Sequence, residues 1–272
     1  DDILNVVNTV LETAMTDDEQ VSGEHVPRID IRDQDFLRFS QPGEEAAYTP
    51  SLSLWSLKGL NLKVMSDAGI PVPPGFIISA ELLRYAELFD VASPQFNPQL
   101  RAAFEAKVAR EVERLKQYQT YPDLQLLLFA RSGSAFLMPG LMHTIHNVGM
   151  TQERAEQMAR DTGDMWAAYH TYAEFVKTFG AYVFDIPKNG KQDSAARGNF
   201  EDVLTAYLQE RNAEDSGRVR TDVDSLDGNE MKELSFRYAA LVRDTYGNII
   251  PDDMMAQIMM AVECVYRSWG SP

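Results

Sequence analysis

Lys58 and Arg131 are the residues whose type and setting best fit the binding of a phosphate group. Lys58 stands early in a predicted helix and precedes Gly59, so a lysine ammonium and free backbone N–H groups could hold an anion together. Arg131 comes directly after an apolar run and is followed by Ser132, and a guanidinium offers two parallel donors to phosphate oxygens. Each has a plainer alternative, which is a surface lysine for Lys58 and an arginine at a sheet rim or beside a carboxylate for Arg131.

A second constellation is the pair His143 and His146, which are three residues apart. On a helix they would share one face as metal ligands, but no third ligand is evident. Thr144-Ile145 favours a strand instead, where the two side chains would point to opposite faces. We therefore interpret both as structural or surface histidines and predict no metal site. The sequence also contains neither a G-x-x-x-x-G-K-[ST] phosphate loop nor a G-x-S-x-G nucleophile setting.

The composition of the chain excludes several classes of binding partner. The net charge of −16 argues against nucleic acid and anionic membranes, and no apolar run reaches the length of a membrane span. A single cysteine, Cys264, cannot form a disulfide within the chain, which favours a cytoplasmic setting. Residues 1–50 hold 3 basic and 12 acidic side chains, whereas residues 51–149 hold 9 and 8. An anionic ligand would be tolerated in that middle segment, although a balanced segment is also typical of a plain core.

The elements that must position these residues follow from hydrophobic spacing and turn signals. Around the two cations we predict three helices, over Leu54–Met65, over Ala80–Phe89 with Ser79 as its cap, and from Pro98 to a point before Pro122. We also predict a strand over Phe76–Ile78 and a second strand over Leu124–Ala130. The second strand is predicted to be buried on both faces and to deliver Arg131 into a loop. Further helices are predicted over Gln152–Lys177, Phe200–Glu210, Met231–Asp244 and Asp253–Trp269.

Three blocks of sequence carry a family resemblance, and they are supported by two later segments, 179–188 and 261–269. The blocks are Lys58-Gly59-Leu60-Asn61-Leu62-Lys63-Val64-Met65, then Gly69-Ile70-Pro71-Val72-Pro73-Pro74-Gly75-Phe76, and then Arg131-Ser132-Gly133 through Met138-Pro139-Gly140-Leu141-Met142. In order and spacing they resemble the amino-terminal nucleotide-binding domain of pyruvate phosphate dikinase and the related phosphoenolpyruvate synthases. The resemblance covers residues 54–272.

The resemblance implies an α+β fold, namely the N-terminal lobe of an ATP-grasp fold with a mostly helical inserted subdomain. On this basis residues 1–50 are an acidic N-terminal extension and residues 51–149 form the ATP-grasp-like lobe. Residues 150–247 are the helical insertion, and residues 248–272 return to complete the lobe.

The resemblance also implies ATP and magnesium as cofactors, with Lys58 and Arg131 on the phosphates and Gly59 and Ser132 beside them. The magnesium ligands and the adenine pocket are expected beyond Pro272. Phosphate would pass from ATP to a histidine on a separate domain and then to pyruvate on another, in cis or in trans. The chain departs from the family pattern at Ser56-Leu57, where a Gly-Gly pair is usual.

Two functions stay open from the sequence. The chain is either the nucleotide-binding lobe of a dikinase-type phosphotransferase, inactive when isolated, or a degenerate, non-catalytic module that senses a nucleotide or binds a protein.

Overall fold

The computed structural model describes residues 31, 36–39, 52–89, 91, 93–118, 126–132, 144–187, 198–215 and 217–269. The chain divides into the compact units Asp1–Asp30 and Ile31–Pro272, and the described residues belong to the second. Its strands are β1 (Phe36–Phe39), β2 (Gly75–Ile78), β3 (Leu128–Arg131) and β4 (Thr144–Val148). Its α-helices are α1 (Leu52–Asp67), α2 (Ala86–Phe89), α3 (Pro98–Lys116), α4 (Gln152–Thr162), α5 (Met165–Val183), α6 (Phe200–Glu214), α7 (Gly228–Ala240) and α8 (Met254–Trp269).

The strands form two antiparallel pairs. β1 pairs with β2 in the register Phe36 opposite Ile78, and β3 pairs with β4 with Arg131 opposite Thr144. β1 is not predicted from the sequence; it lies within residues 1–50 and belongs to the unit Ile31–Pro272. Its Phe36 and Leu37 are buried, which explains why so short a strand is held.

The predicted strand before Arg131 differs from the structure in two ways. β3 alternates between half-buried and exposed residues, and Phe129 is 53% exposed, so burial on both faces is wrong. The reason is that β3 has only one strand partner, β4, among the described residues. Arg131 is moreover the last residue of β3 and not the first of a loop.

The helix α3 agrees with its prediction. Asn97 caps it by accepting hydrogen bonds from the backbone N–H groups of Gln99 and Leu100, and Pro98 occupies the first turn. Its apolar stripe is buried, with residues Leu100, Phe104, Val108, Val112 and Leu115 facing the core. The predicted helix over Ala80–Phe89 is a 3₁₀ helix over Ala80–Tyr85 followed by α2.

The helical region, which we define as α4 to α7, contains no strand among its described residues. The single helix predicted over Gln152–Lys177 is two helices, because Gly163 adopts φ 70° and Asp164 caps the second. α5 packs against α4, α7 and β4. The predicted helix over Met231–Asp244 is α7 followed by a π-helical turn over Leu241–Thr245.

The last helix, α8, packs against β3, β4, α3 and α5. Gln257 fixes it there through its fully buried amide, which accepts from the Gly149 N–H at 2.7 Å and donates to the Met150 and Pro251 carbonyls at 3.1 and 2.7 Å. Helices account for most of the described residues, and the two small sheets make the class compatible with α+β. Across the described ranges, no helix combines the length and apolarity that crossing a bilayer requires.

Candidate functional site

A cleft of about 640 Å³ lies between α1, β2, β3 and α8. The four residues predicted for the nucleotide site, Lys58, Gly59, Arg131 and Ser132, all line it. Segments more than 70 residues apart in sequence are thus brought to one surface. Their role in holding a nucleotide remains a prediction.

Lys58 is positioned by a kink in α1 at Ser56. The backbone of Ser56 adopts φ 62° and ψ 160°, a conformation that is almost restricted to glycine. Beyond the kink the helix resumes, and the Ser56 hydroxyl accepts a hydrogen bond from the Gly59 N–H at 3.2 Å. Ser56 thus adopts a backbone conformation typical of glycine at a position where the family resemblance expects glycine. Its hydroxyl also uses the Gly59 N–H, which would otherwise be a free donor at the N-terminus of the resumed helix.

Gly59 allows α1 to lie directly against β2. A Cβ atom at this residue would come within 2.7 Å of the Ile77 Cδ1 atom and 3.3 Å of its Cγ1 atom. Real Cβ contacts are not that close, so a larger residue would push α1 away from β2. The glycine therefore holds the following turn, and Lys58 with it, at the wall of the cleft.

Arg131 reaches the cleft from the end of β3. Its guanidinium lies 5.8 Å from the centre of the Phe129 ring, within the range of a cation–π contact, and Arg131 itself is exposed. The neighbouring Ser132 is buried, at 4% exposure. The strand end thus presents one exposed cation at the surface and one hydroxyl-bearing residue in the wall.

Neither the Lys58 ammonium nor the Arg131 guanidinium has a carboxylate or hydrogen-bond partner within the part of the chain that the structure describes. The pKa of Lys58 is lowered, first by burial of its ammonium and second by the positive charge of Arg131. The nearby Lys63 behaves differently, because it is buried and forms an ion pair with Asp67. Two like charges that face one cleft, with no counter-ion among the described residues, raise the electrostatic energy of the free chain, and a bound polyanion would lower it.

Among the described residues, no group of three or more His, Cys, Asp and Glu side chains that could hold a metal ion occurs. His146 lies on β4, as the strand prediction requires, with its Nδ1 atom 3.8 Å from the Glu174 carboxylate and its ring 5.2 Å from that of Phe129. His143 lies outside the described residues.

Comparison with known proteins gives consistent relatives. The chain is 32% identical over 219 residues to pyruvate, phosphate dikinase 1 of Zea mays, which is 79% of this chain and 21% of that protein. It is 30% identical over 217 residues to pyruvate, phosphate dikinase of Clostridium symbiosum, and the match covers 79% of this chain and 22% of that protein. It is 31% identical over 220 residues to pyruvate, phosphate dikinase 1 of Arabidopsis thaliana, and the match covers 81% of this chain and 21% of that protein. No family model matches the chain. The chain is a homologue of the pyruvate, phosphate dikinases.

The resemblance inferred from the sequence is confirmed for the dikinases. The homology concerns their N-terminal region, and the chain spans about one fifth of the length of these relatives.

One residue of the cleft is not found by sequence reasoning. Tyr266 of α8 lies in the wall, and its hydroxyl is buried without a hydrogen-bond partner in the described part of the chain. In the sequence Tyr266 is one of several apolar residues at helical spacing, a pattern that indicates only a buried face. The signal is the missing partner, which becomes visible only in three dimensions.

Proposed function

We propose that the chain is the ATP-binding lobe of a pyruvate, phosphate dikinase-like phosphotransferase. The observation that carries this proposal is the pair of cations, Lys58 and Arg131, that line one cleft without counter-ions among the described residues. A triphosphate would offset both charges, and the guanidinium could contact two phosphate oxygens at once. Homology to the N-terminal region of the dikinases supports the same assignment.

In this proposal the lobe is the N-terminal half of an ATP-grasp fold. Residues 51–149 and 248–272 form its α+β part, and residues 150–247 are inserted as a helical subdomain. The docking of α8 against β3 supports that division, as does the lack of strands among the described residues of the helical region. Cytoplasmic localisation is part of the same proposal.

Lys58 and Arg131 would hold and orient the phosphates and neutralise charge as the terminal phosphoryl group leaves. The ammonium acts from the restarted turn of α1 and the guanidinium from the end of β3, so two separate elements fix the direction of the phosphate chain. Magnesium would add charge neutralisation, with carboxylate ligands from outside the described residues. The phosphoryl group would then go to a histidine of a phosphohistidine domain and on to pyruvate in a further domain, in cis or in trans.

Titration of the 272-residue chain with ATP, followed by NMR or calorimetry, tests the proposal. We expect weak binding, about −4 kcal/mol or millimolar affinity, because one lobe supplies only part of the contacts. Since a hydrogen bond to a charged group contributes about 1.5 kcal/mol or more, Lys58→Ala and Arg131→Ala should each weaken binding roughly tenfold.

Lys116→Ala and Arg243→Ala are matched controls, because each removes an exposed cation that pairs with Glu113 or Asp244 away from the cleft. These controls should bind ATP as the unaltered chain does. Binding that is equally insensitive to all four substitutions would place the nucleotide elsewhere. Absence of binding, even when the second lobe is joined to the chain, would favour the interaction module.

A further inference from the structure

A second pocket, of about 320 Å³, lies where the end of α3 meets the pair β1 and β2. Neither Lys58 nor Arg131 lines it, so the proposed function makes no use of it. Most of its lining residues carry polar or charged side chains, and the full set is Arg38, Gly75, Phe76, Glu111, Arg114, Leu115, Gln117 and Tyr118. A pocket with such walls suits a small polar ligand better than an apolar one.

Arg38 and Glu111 form an ion pair in the wall of this pocket. The Arg38 Nε and Nη2 atoms donate to the two carboxylate oxygens of Glu111 at 2.7 and 2.6 Å, and Glu111 is buried. Two parallel hydrogen bonds fix the orientation of both groups and offset their charges. The only carboxylate that lines the pocket is therefore already matched by a cation.

Arg114 is different, because its guanidinium has no carboxylate or hydrogen-bond partner among the residues that the structure describes. The carboxylates closest to it along α3 are both paired, Glu111 with Arg38 and Glu113 with Lys116 at 2.8 Å. Arg114 is half-buried, so it gives up part of its contact with water without gaining a counter-ion in return. An oxyanion in the pocket would supply that counter-ion.

Gln117 and Tyr118 place neutral donors beside Arg114. They follow it by three and four positions, the spacing that brings side chains to one side of a helix, and all three line the pocket. Within the described ranges, the side chains of Gln117 and Tyr118 form no hydrogen bond either. An amide and a phenol hydroxyl both donate to carboxylate or phosphate oxygens. The dipole of α3 favours a cation at this end of the helix, but it gives no reason for two further donors next to that cation.

We propose that this pocket binds a small oxyanion through the Arg114 guanidinium, with the Gln117 amide and the Tyr118 hydroxyl as further donors. Phosphate and carboxylate groups both accept the two parallel hydrogen bonds that a guanidinium offers, so either can provide the oxygens. The site is separate from the cations of the cleft and does not depend on the proposed function.

The pocket and the cleft share part of their walls, namely Gly75, Phe76 and Leu115. An anion in the pocket would therefore lie beside the cleft, and the backbone N–H signals of Gly75 and Leu115 in NMR spectra can report its binding. Because a ligand in the cleft would shift the same signals, the titrations use a chain that carries both Lys58→Ala and Arg131→Ala.

The test titrates that chain with inorganic phosphate and, separately, with malonate, at constant pH and ionic strength. We expect saturable binding of at least one of the two anions, and the tighter one identifies the oxyanion class. Arg114→Gln should weaken this binding about tenfold, because hydrogen bonds to a charged group are lost. Tyr118→Phe should weaken it about threefold, because one neutral hydrogen bond is lost while the ring stays.

Lys116→Gln is the matched control. It removes the same charge two residues further along, from a side chain that pairs with Glu113 and does not line the pocket. Its anion affinity should equal that of the chain without this substitution. A loss as large as that of Arg114→Gln would mean that the anion responds to overall charge, and it would overturn the proposal.

Two further results would also overturn the proposal. One is the absence of saturable binding of both anions, and the other is equal affinity before and after Arg114→Gln. In either case Arg114 would serve only to balance the dipole of α3. The proposed function would stand in both cases, because it is tested by ATP at Lys58 and Arg131.

Discussion

The helical region and the cleft differ in how they treat positive charge. In the helical region Arg237 donates to both oxygens of Glu210, at 2.7 and 2.9 Å, and to Glu233 at 2.9 Å. Just before α7, Arg220 is buried and its Nε atom donates to Glu230 at 2.5 Å. In the cleft, Lys58 and Arg131 have no such partner among the described residues. Charges that meet a carboxylate support the fold, whereas charges left without one are available to a ligand.

Packing follows the same division. In the helical region Gly180 of α5 lies so close to Phe200 and Val242 that a Cβ atom would come within 2.8 and 3.2 Å of their side chains. The cleft, by contrast, leaves about 640 Å³ between its walls. The helical region is therefore closely packed at Gly180, whereas the cleft leaves open volume beside two cations that have no carboxylate partner among the described residues.

The largest effect on stability is expected from Gly180→Ala, which tests whether the helical region, where arginines pair with carboxylates, is also closely packed. Overpacking typically costs 1–3 kcal/mol, so we expect the free energy of unfolding to fall by about 1–3 kcal/mol in urea titrations. Phe200→Leu in the same chain should recover part of the loss, because it shortens the side chain that the new methyl group meets. ATP affinity should not change. Unchanged stability in Gly180→Ala would show that the region yields easily and would break the comparison.

A smaller effect is expected at Ser56, where the cleft stores backbone strain. A non-glycine residue in this conformation costs on the order of 1–3 kcal/mol, and Ser56→Gly would remove that cost. The same substitution loses the hydrogen bond from the Gly59 N–H and gives the unfolded chain more conformational freedom, and both effects lower stability. The net result should be a rise of about 1 kcal/mol in the free energy of unfolding. Ser56→Ala keeps the strain and loses the hydrogen bond from Gly59, so it should lower stability by about 1 kcal/mol.

Ser56→Gly should also bind ATP more tightly, because the Gly59 N–H then becomes free for a phosphate oxygen. Chemical denaturation and ATP titration of the two variants provide the measurements. Equal stabilities of Ser56→Gly and Ser56→Ala would mean that the backbone at this residue is not strained.

The smallest effect is the pH dependence that Lys58 contributes. The pKa of Lys58 in the folded chain lies below the ordinary lysine value of 10.5, so between the two values the unfolded chain binds more protons and stability rises with pH. The free energy of unfolding of the unaltered chain, minus that of Lys58→Met, should therefore increase as pH is raised from neutral toward 10.5. The raised pKa of Tyr172, about 12, acts in the opposite direction but is common to both proteins and cancels. Parallel pH profiles would indicate that Lys58 faces water and that Arg131 does not repel it.

The features that could be predicted from the sequence are those that depend on residue type and on the local spacing of apolar residues. The stripe from Leu100 to Leu115 predicts α3 because helical period and burial coincide, and the residue types at Lys58 and Arg131 indicate an anion site without any knowledge of the fold. β1 could not be predicted in this way, since Phe36 is held by pairing with Ile78, 42 positions along the chain. The exposure of Phe129 likewise depends on β3 having no second strand neighbour among the described residues, which the run Leu124–Ala130 does not reveal.

The buried amide of Gln257 has a consequence for the connectivity of the chain. It joins α8 to the Gly149 N–H and the Met150 carbonyl, 108 and 107 positions earlier, and thereby closes the long loop that contains the helical region. The entropy of closing a loop depends only weakly on its length, about 0.6 kcal/mol for each doubling. Helices could therefore be added or removed between Met150 and Gln257 with little penalty to the junction itself. The rate of folding would respond more, because this contact cannot form until two distant parts of the chain have met.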